Sequence, residues 1–136
     1  MFCLVREPIE VQTITDRLKK PEDGAAVVFE GIVRNHSNRK AVRFLEYDAY
    51  EPMALKKLEE VGFRAQSQFA IRDIAIVHRL GRMDIGECSV VIAVTSAHRG
   101  PAFEACRFAI DTIKEIVPIW KKEFYEDGEV WIEGGH

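Results

Sequence analysis

The spacing of apolar residues along the chain predicts seven strands and three helices. Short apolar runs rich in branched side chains indicate strands at residues 2–5, 24–33, 42–50, 71–80, 88–96, 119–125 and 129–132. Apolar positions three and four apart indicate helices at about residues 8–20, 52–69 and 101–117. Because strands often follow strands directly in this order, we expect an α+β fold with mainly antiparallel pairing.

A polar, basic segment at residues 34–40 separates the second predicted strand from the third. Its Asn, Ser and basic residues are typical of a mobile loop, and the strands on either side of it are expected to pair as a long hairpin. In the third strand, Val42, Phe44 and Tyr50 alternate with charged residues and would form its apolar face. Gly31, inside the second strand, indicates a bulge or a close approach by another backbone or a ligand.

Length and charge limit the class of protein. The 136 residues, 47% hydrophobic and 30% charged, predict a single globular domain over residues 1–136 with a sizeable core. The formal net charge is −3, and no lysine-rich tail is present. Phosphate-backbone binding needs a dominant basic face, which argues against nucleic acid as a partner. Any cationic site must be a local concentration of charge on an acidic protein.

The cysteines and the start of the chain indicate a cytoplasmic protein. Cys3, Cys88 and Cys106 are odd in number, widely spaced and without a C-x-x-C pair, so we expect reduced thiols, buried in apolar surroundings. The first residues lack the basic region and long apolar run of a signal peptide. The longest uncharged run, residues 88–97, is about half as long as a membrane span, so no membrane partner is expected.

Motifs for a metal or cofactor are missing from the sequence. The four histidines lack metal-ligand spacing, and neither a Walker loop nor G-x-G-x-x-G occurs. We therefore expect neither a metal nor a cofactor.

Residues 95–123 carry the candidate chemistry. They read as the end of a buried strand, a turn, a helix and a second strand, with cations at the joints: His98, Arg99, Lys114 and Lys121. Backbone N–H groups at a helix N-terminus bind anions, and an arginine beside them adds a bidentate fork for phosphate or carboxylate.

Taken singly, each of these cations also has a structural interpretation. Arg99 could pair with a surface glutamate. Lys114 in the last helical turn complements the helix dipole and follows Asp111 by three residues. Lys121 could lie on a solvated strand face with Glu123 as partner.

The functional hypothesis depends on several of these cations lying close together in the fold. If the helix returns toward the following strand, Lys114, Lys121 and Arg34 could face one pocket for an anionic small molecule. Clustered cations and burial both lower a lysine pKa, so that one amine could act as a base or nucleophile.

Five segments in order along the chain resemble the large, catalytic subunit of molybdopterin synthase. They are F-E-G-I-V-R-N-H at residues 29–36, L-E-Y-D-A-Y-E-P-M-A at 45–54, I-A-I-V-H-R-L-G at 74–81, S-A-H-R-G-P-A-F-E-A-C at 96–106 and V-P-I-W-K-K-E at 117–123. The resemblance implies an α/β hammerhead fold with an added antiparallel sheet. It also implies a sulfurtransferase of molybdenum cofactor biosynthesis that converts precursor Z, cyclic pyranopterin monophosphate, into the molybdopterin dithiolene.

The resemblance further implies two protein partners. Sulfur would arrive as a thiocarboxylate on the C-terminal Gly-Gly of a small ubiquitin-like subunit, whose tail enters the pocket. Two large subunits would form a central dimer, with one small subunit at each end of a heterotetramer. Family members often continue beyond the equivalent of Trp131, and that end can reach the neighbouring site. The short end of this chain makes such a contribution doubtful here.

The family's site residues fall on positions of this chain that match its motifs. The expected substrate-binding set is Ile32, Val33, Arg34, His98, Arg99, Lys114, Lys121, Lys122 and Glu123. Arg34, His98 and Arg99 would bind phosphate and orient the pterin. Lys114 would position the thiocarboxylate and steady developing negative charge, and Lys121 would carry protons. The cysteines would be spectators.

Two other functions use the same cations. A non-catalytic module could hold a phosphorylated metabolite, and a scaffold could dock the small subunit without turnover. Reaction with precursor and thiocarboxylated partner would discriminate them from an enzyme. The sequence leaves open which lysine is the acid or base and in which order the two sulfurs are transferred.

Overall fold

The computed structural model describes residues 1–37 and 39–133, the last five of these as backbone. It is an α+β fold of three helices and two sheets, which confirms the predicted class. The elements are β1 Phe2–Val5, α1 Val11–Leu18, β2 Ala25–Ile32, β3 His36–Ser37, β4 Lys40–Ala49, α2 Glu51–Gln68, β5 Asp73–Arg79, β6 Gly81–Asp84, β7 Cys88–Ser96, α3 Arg99–Ile116, β8 Ile119–Tyr125 and β9 Gly128–Glu133.

The first sheet has the strand order β1-β5-β7-β2. Only the β1–β5 pair is parallel among its described pairs, as the mainly antiparallel prediction requires. The apolar strand β7 lies between β5 and β2, and its side chains from Ser89 onward are buried. Helices α2 and α3 pack on one face of this sheet and α1 on the other, so the sheet is the centre of the core.

Helix α3 forms because its small and branched apolar residues recur on one face. Its buried residues are Ala102, Ala105, Cys106, Ala109, Thr112 and Ile113. Pro118 follows one residue after the C-cap, where proline commonly ends a helix. The chain then turns directly into β8, and this turn brings the end of α3 close to the second sheet.

The second sheet has the order β3-β4-β8-β9, with β6 paired to β4. The predicted long hairpin is wrong, because β2 pairs with β7 whereas β4 pairs with β8. Residues 34–40 instead contain the short strand β3, which turns back on β4 through the pairs His36↔Ala41 and Ser37↔Lys40. The strand β6 lies in a segment where the sequence predicted only a connection.

Two irregularities in strand pairing affect which side chains face the site. The register between β2 and β7 shifts between Gly31 and Ile32, and a Cβ on Gly31 would lie 2.6 Å from Val90 Cγ1. The irregularity predicted at Gly31 is therefore present, but its extra residue, Ser89, belongs to β7. A second shift lies between Val42 and Phe44 in β4.

The shift in β4 changes the phase of its alternation. The prediction that Phe44 and Tyr50 share a buried face with Val42 is therefore wrong. Val42 is buried, but beyond the shift the buried side chains are Leu45 and Tyr47, while Tyr50 is 60% exposed.

The cysteines are reduced as expected, but only Cys106 is fully buried. All three cysteines are free, with Cys106 buried and Cys3 and Cys88 half-buried. None of the helices in the described part of the chain has the length and apolarity needed to cross a membrane.

Candidate active site

A cavity of about 370 Å³ opens where β2, β7 and α3 meet the second sheet. Small-molecule sites commonly measure about 300–1,000 Å³. The lining residues combine apolar side chains with cations and carboxylates. They are Phe29, Gly31, Ile32, Val33, Arg34, His36, Leu45, Tyr47, Ser89, Val90, Ile110, Asp111, Lys114, Lys121 and Glu123.

Lys121 is the half-buried cation of this cavity. Alternation along β8 places it on the same face as Glu123 and Tyr125. Within residues 1–37 and 39–133, its amine forms no ion pair or hydrogen bond. Burial lowers the pKa of Lys121, and the nearby charges of Arg34 and Lys114 lower it further, while Glu123 acts in the opposite direction. The amine is therefore easier to deprotonate than that of an ordinary lysine.

Lys114 and Arg34 bring two more positive charges to the same cavity. Lys114 lies in the last turn of α3, and Arg34 follows the end of β2. Both side chains belong to exposed residues, so they remain solvated at the cavity mouth. Asp111 also lines the cavity, but its ion pair is with Arg107 at 3.8 Å rather than with Lys114. Three cations from different elements thus surround one space.

Glu123 is a buried carboxylate within this positive site, with only 3% of its surface exposed. Its Oε1 accepts hydrogen bonds from the Ser37 hydroxyl at 3.0 Å and from the Tyr125 hydroxyl at 3.0 Å. Ser37 lies on β3, so this contact also joins the basic segment to β8.

Tyr47 supplies a neutral polar group to the cavity wall. Burial raises the pKa of its hydroxyl to about 12, with Glu123 acting in the same direction and a hydrogen bond with Ser89 against it. Its ring contacts the buried His78 edge-on, with ring centroids 5.0 Å apart. The phenol therefore stays protonated at any physiological pH.

His98 and Arg99 lie at the other end of α3 from Lys114. Lys114 follows Arg99 by fifteen positions, which corresponds to about 22 Å along the helix. Both residues are exposed, and neither lines the cavity. Within one chain the structure therefore brings together Arg34, Lys114 and Lys121 but leaves this pair apart.

Lys122 also points away from the cavity. Alternation places it on the outer face of β8, and its Nζ lies 5.2 Å from the centroid of the Phe124 ring. The other predicted binding residues, Ile32, Val33 and Glu123, do line the cavity. The predicted binding roles of all these residues remain predictions.

The sequence did not single out Ser37, Tyr47, Ser89 or Tyr125 as site residues. Tyr125 could have been found by extending the alternation from Lys121 through Glu123. Tyr47 was hidden because the shift in β4 reverses the apparent phase of that strand. Ser37 and Ser89 carry no signal of their own, since their role comes from contacts with residues distant in sequence.

The arrangement suits an anionic substrate and proton transfer. Cations at the mouth can hold a phosphate or carboxylate, and a half-buried amine with a lowered pKa can accept or donate a proton. Among the described residues, no group of three His, Cys, Asp or Glu side chains could hold a metal ion.

Comparison with known proteins assigns the family. The profile described as MoaE protein matches residues 4–116, more than half of the chain. The chain belongs to the MoaE family. The molybdopterin synthase catalytic subunit of Bacillus subtilis (strain 168) is 48% identical to it over 131 residues, covering 96% of this chain and 83% of that protein.

Solved structures share the fold of this chain. The X-ray crystal structure of molybdopterin synthase from Staphylococcus aureus matches with a TM-score of 0.93 and 44% identity, covering 99% of this chain and 97% of that one. A chain from Helicobacter pylori 26695 matches with a TM-score of 0.77 at 23% identity, covering 94% and 87%, and supports the fold alone. This MoaE protein is thus a catalytic subunit of the molybdopterin synthase type, a sulfurtransferase of molybdenum cofactor biosynthesis, as the resemblance implied.

Proposed function

We propose that the cavity binds precursor Z and catalyses transfer of sulfur to it from the C-terminal thiocarboxylate of a small ubiquitin-like subunit, forming the dithiolene of molybdopterin. The observation that carries this proposal is the meeting of Arg34, Lys114 and Lys121 around one cavity. A cyclic phosphate and a thiocarboxylate are both anions, and this protein of net charge −3 concentrates cations at that place.

The three cations differ in environment, and their proposed roles differ accordingly. Arg34 offers a planar fork at the mouth, which suits the phosphate. Lys114 is exposed and charged, so it holds the incoming thiocarboxylate and stabilises the negative charge that develops during transfer. Lys121 is half-buried with a lowered pKa, so it moves the protons needed for ring opening and loss of water.

The small subunit is proposed as the sulfur donor because Cys88 and Cys106 of this chain are poorly suited to carry sulfur. Burial raises the pKa of Cys106 to about 11 and also raises that of Cys88, which leaves both thiols protonated and poorly nucleophilic. The Helicobacter pylori structure is described as a protein–protein complex of subunits 1 and 2 of Molybdopterin-converting factor. A corresponding subunit would bring its tail to the cavity mouth of this chain.

Turnover with precursor Z and thiocarboxylated small subunit tests the function. Lys121→Ala should lower kcat about 10²-fold or more, since a positioned proton carrier contributes about 10²–10⁴. Lys56→Ala, which removes an exposed lysine on α2, is the matched control and should retain the parent rate. Dithiolene formation by Lys121→Ala at the parent rate would remove the proposed role. Binding of precursor without any dithiolene in the parent protein would favour a storage module, and binding of the small subunit alone would favour a scaffold.

We further propose that His98 and Arg99 act on the cavity of a second copy of the chain. The strand β2 supports such a dimer, because it is the terminal strand of the first sheet and contains neither Pro nor Lys. Long apolar edge strands without such protection pair readily with another chain. Its outward row includes Val28 and Ile32, which are 37% and 48% exposed.

In such a dimer, the position of β2 would bring the start of α3 in one copy close to the cavity of the other. Ala25, at its start, pairs with Ser96, two residues before His98, whereas Ile32, at its end, lines the cavity. If two β2 strands run antiparallel across a two-fold axis, the start of each lies beside the end of the other. The exposed N-terminus of α3 and Arg99 of one copy would then face the cavity of its partner.

Subunit mixing tests this arrangement. Arg99→Ala and Lys121→Ala chains, each inactive as homodimers, should form mixed dimers with one intact site. After random exchange, about a quarter of the parent activity should return, because half of the dimers are mixed and each has one working site of two. Activity no higher than the sum of the two separate variants would show that both residues act within one chain.

A further inference from the structure

The carboxylate of Glu123 lies two residues from Lys121 on the same strand face, yet the two groups form no ion pair within the described chain. A buried carboxylate next to a buried amine normally pairs with it, because an unpaired buried charge is costly. Here Glu123 Oε1 is instead held at 3.0 Å by Ser37 on β3 and at 3.0 Å by Tyr125, the next inward residue on β8.

The two hydroxyl donors approach from different elements. Tyr125 is 6% exposed and anchored in the second sheet, and the Nζ of Lys40 lies 5.4 Å from the centroid of its ring. Ser37 is fixed through the pairing of β3 with β4 and by the hydrogen bond from the Val42 N–H to the Asn35 carbonyl at 2.9 Å. Two hydroxyls from different elements therefore hold Oε1 of the carboxylate.

We propose that the hydroxyls of Ser37 and Tyr125 are positioning groups that hold the Glu123 carboxylate away from Lys121 and so keep its amine unpaired inside the cavity. The inference rests on the proposed function, in which Lys121 moves protons. An ion pair with Glu123 would stabilise the protonated amine and remove the neutral form from use. Two residues outside the predicted substrate-binding set would thus adjust the reactivity of one inside it.

Several elements contribute charge around Lys121. Among the described side chains, the titratable groups that line the cavity with it are Arg34 after β2, His36 on β3, Tyr47 on β4, Asp111 and Lys114 on α3, and Glu123 on β8. Glu123 is the carboxylate nearest along the chain to Lys121, and its field already raises the pKa of that amine against burial and the other cations. Its position therefore matters more than that of the exposed Asp111.

Titration of Lys121 by NMR in the full chain, with lysine side chains isotopically labelled, tests the proposal without requiring turnover. In the double variant Ser37→Ala with Tyr125→Phe, the freed carboxylate should pair with Lys121 and raise its pKa by about one unit or more. Glu123→Gln keeps the hydrogen bonds to the side-chain oxygen but removes the charge, so it should shift the same resonance in the opposite direction. Ser37→Thr keeps a hydroxyl and should titrate like the parent.

Activity gives a second measurement in the reconstituted enzyme. A rise of one unit in the Lys121 pKa lowers the neutral fraction at pH 7 about tenfold, so kcat should fall about tenfold while the limb of the pH profile moves to higher pH. Ser67→Ala, which removes a serine hydroxyl bonded to the Phe63 carbonyl on the exposed side of α2, is the control and should leave the profile in place.

The outcomes separate this inference from the proposed function. A folded double variant in which Lys121 titrates as in the parent would overturn the positioning role, whatever the activity. A shifted titration with unchanged kcat would support the positioning role and instead count against Lys121 as the proton carrier. If the double variant does not fold, the single Ser37→Ala change on the short β3 hairpin must shift the titration in the same direction, or the proposal fails.

Discussion

Tyr47 on β4 and Lys121 on β8 are direct partners in the antiparallel ladder, and both side chains line the cavity. Burial raises the pKa of the phenol to about 12, so this neighbour carries no charge at physiological pH. The amine therefore faces an uncharged hydroxyl across the strand pair rather than a counter-ion. Burial lowers the pKa of Lys121, and Arg34 and Lys114 lower it further, so the protonated amine is costly to the folded protein.

Replacement of Lys121 by methionine should stabilise the fold while removing activity. Because the pKa of Lys121 is lower in the folded protein than in the unfolded chain, the folded state binds its proton less tightly, and stability rises as pH rises toward 10.5. Lys121→Met keeps the apolar stem without the charge, so the free energy of unfolding at pH 7 should increase by about 1 kcal/mol. Urea unfolding at pH 7 and pH 10 measures this, and the gain should shrink at the higher pH.

Lys56→Met on the exposed side of α2 controls for the general effect of removing a lysine. It should change stability by less than about 0.5 kcal/mol at either pH. A Lys121→Met protein that is less stable than the parent at pH 7 would show that the amine is paired in solution.

The thiols of this chain should be dispensable for sulfur transfer. With a pKa of about 11, only about one part in a thousand of Cys106 is thiolate at pH 8, and the side chain is buried. The double variant Cys88→Ala with Cys106→Ala should fold with some loss of stability and retain kcat with thiocarboxylated small subunit. Loss of turnover in a folded double variant would indicate a persulfide carried on this chain.

Two glycines near the start of α3 should respond oppositely to a methyl group. A Cβ on Gly24 would lie 2.2 Å from the backbone oxygen of Ala97, which cannot move without moving the turn to His98. Gly24→Ala should therefore cost about 1–3 kcal/mol of stability. Gly100, in the first turn of α3, has open space around its Cβ position, so Gly100→Ala should be neutral or stabilise by up to about 1 kcal/mol.

Thermal unfolding of both glycine variants is the measurement. Equal melting temperatures for Gly24→Ala and the parent would show that the chain at Ala97 adjusts freely. In that case the turn that presents His98 and Arg99 would be far less constrained than the close backbone approach indicates.

The loss of stability at acidic pH should depend on Asp23. Its carboxylate accepts hydrogen bonds from Arg72 Nε at 2.7 Å and from the Lys20 N–H at 2.8 Å, and these contacts, the one from Arg72 first, lower the pKa of Asp23 below its usual 3.8. A carboxyl group whose pKa is lower in the folded protein than in the unfolded chain stabilises the fold above pH 3.8. This contribution is lost as the pH falls through the pKa of the folded protein. Asp23→Asn should melt at a lower temperature at pH 7 and lose less stability between pH 5 and pH 3.

Glu7→Gln is a suitable control for the acid titration, because Glu7 is an exposed carboxylate near the N-terminus. Its melting curve should follow that of the parent from pH 7 to pH 3. An unchanged pH dependence in Asp23→Asn would show that the contact with Arg72 persists without the negative charge.

The elements were largely predictable because their local signals agree with their tertiary environment. Pro52 and Pro118 mark helix boundaries, and the continuous apolar run of β7 marks a strand buried on both faces. Strand pairing was not predictable in the same way. The segment between β2 and β4 suggested a hairpin, but β2 finds its partner in β7, almost sixty residues later in the sequence.

The candidate site was likewise predictable where its contacts are local and not where they join distant parts of the sequence. The cations Lys114 and Lys121 stand at the end of a helix and in the strand that follows, so their proximity is a local consequence of the turn at Pro118. The contact between Ser37 and Glu123 joins residues 86 apart and leaves no periodic trace. His98 and Arg99 were expected beside the lysines because the resemblance places all four residues in one binding set, although the length of the predicted helix already separates its two ends within one chain.

The length of the turn at Pro118 decides which side chains of β8 face the cavity. Lys121 and Glu123 of β8 line the cavity, so inserting or deleting a single residue between Lys114 and Lys121 would exchange the two faces of the strand and present Trp120 and Lys122 to the cavity instead. Natural variation in this family should accordingly preserve the length of that connection.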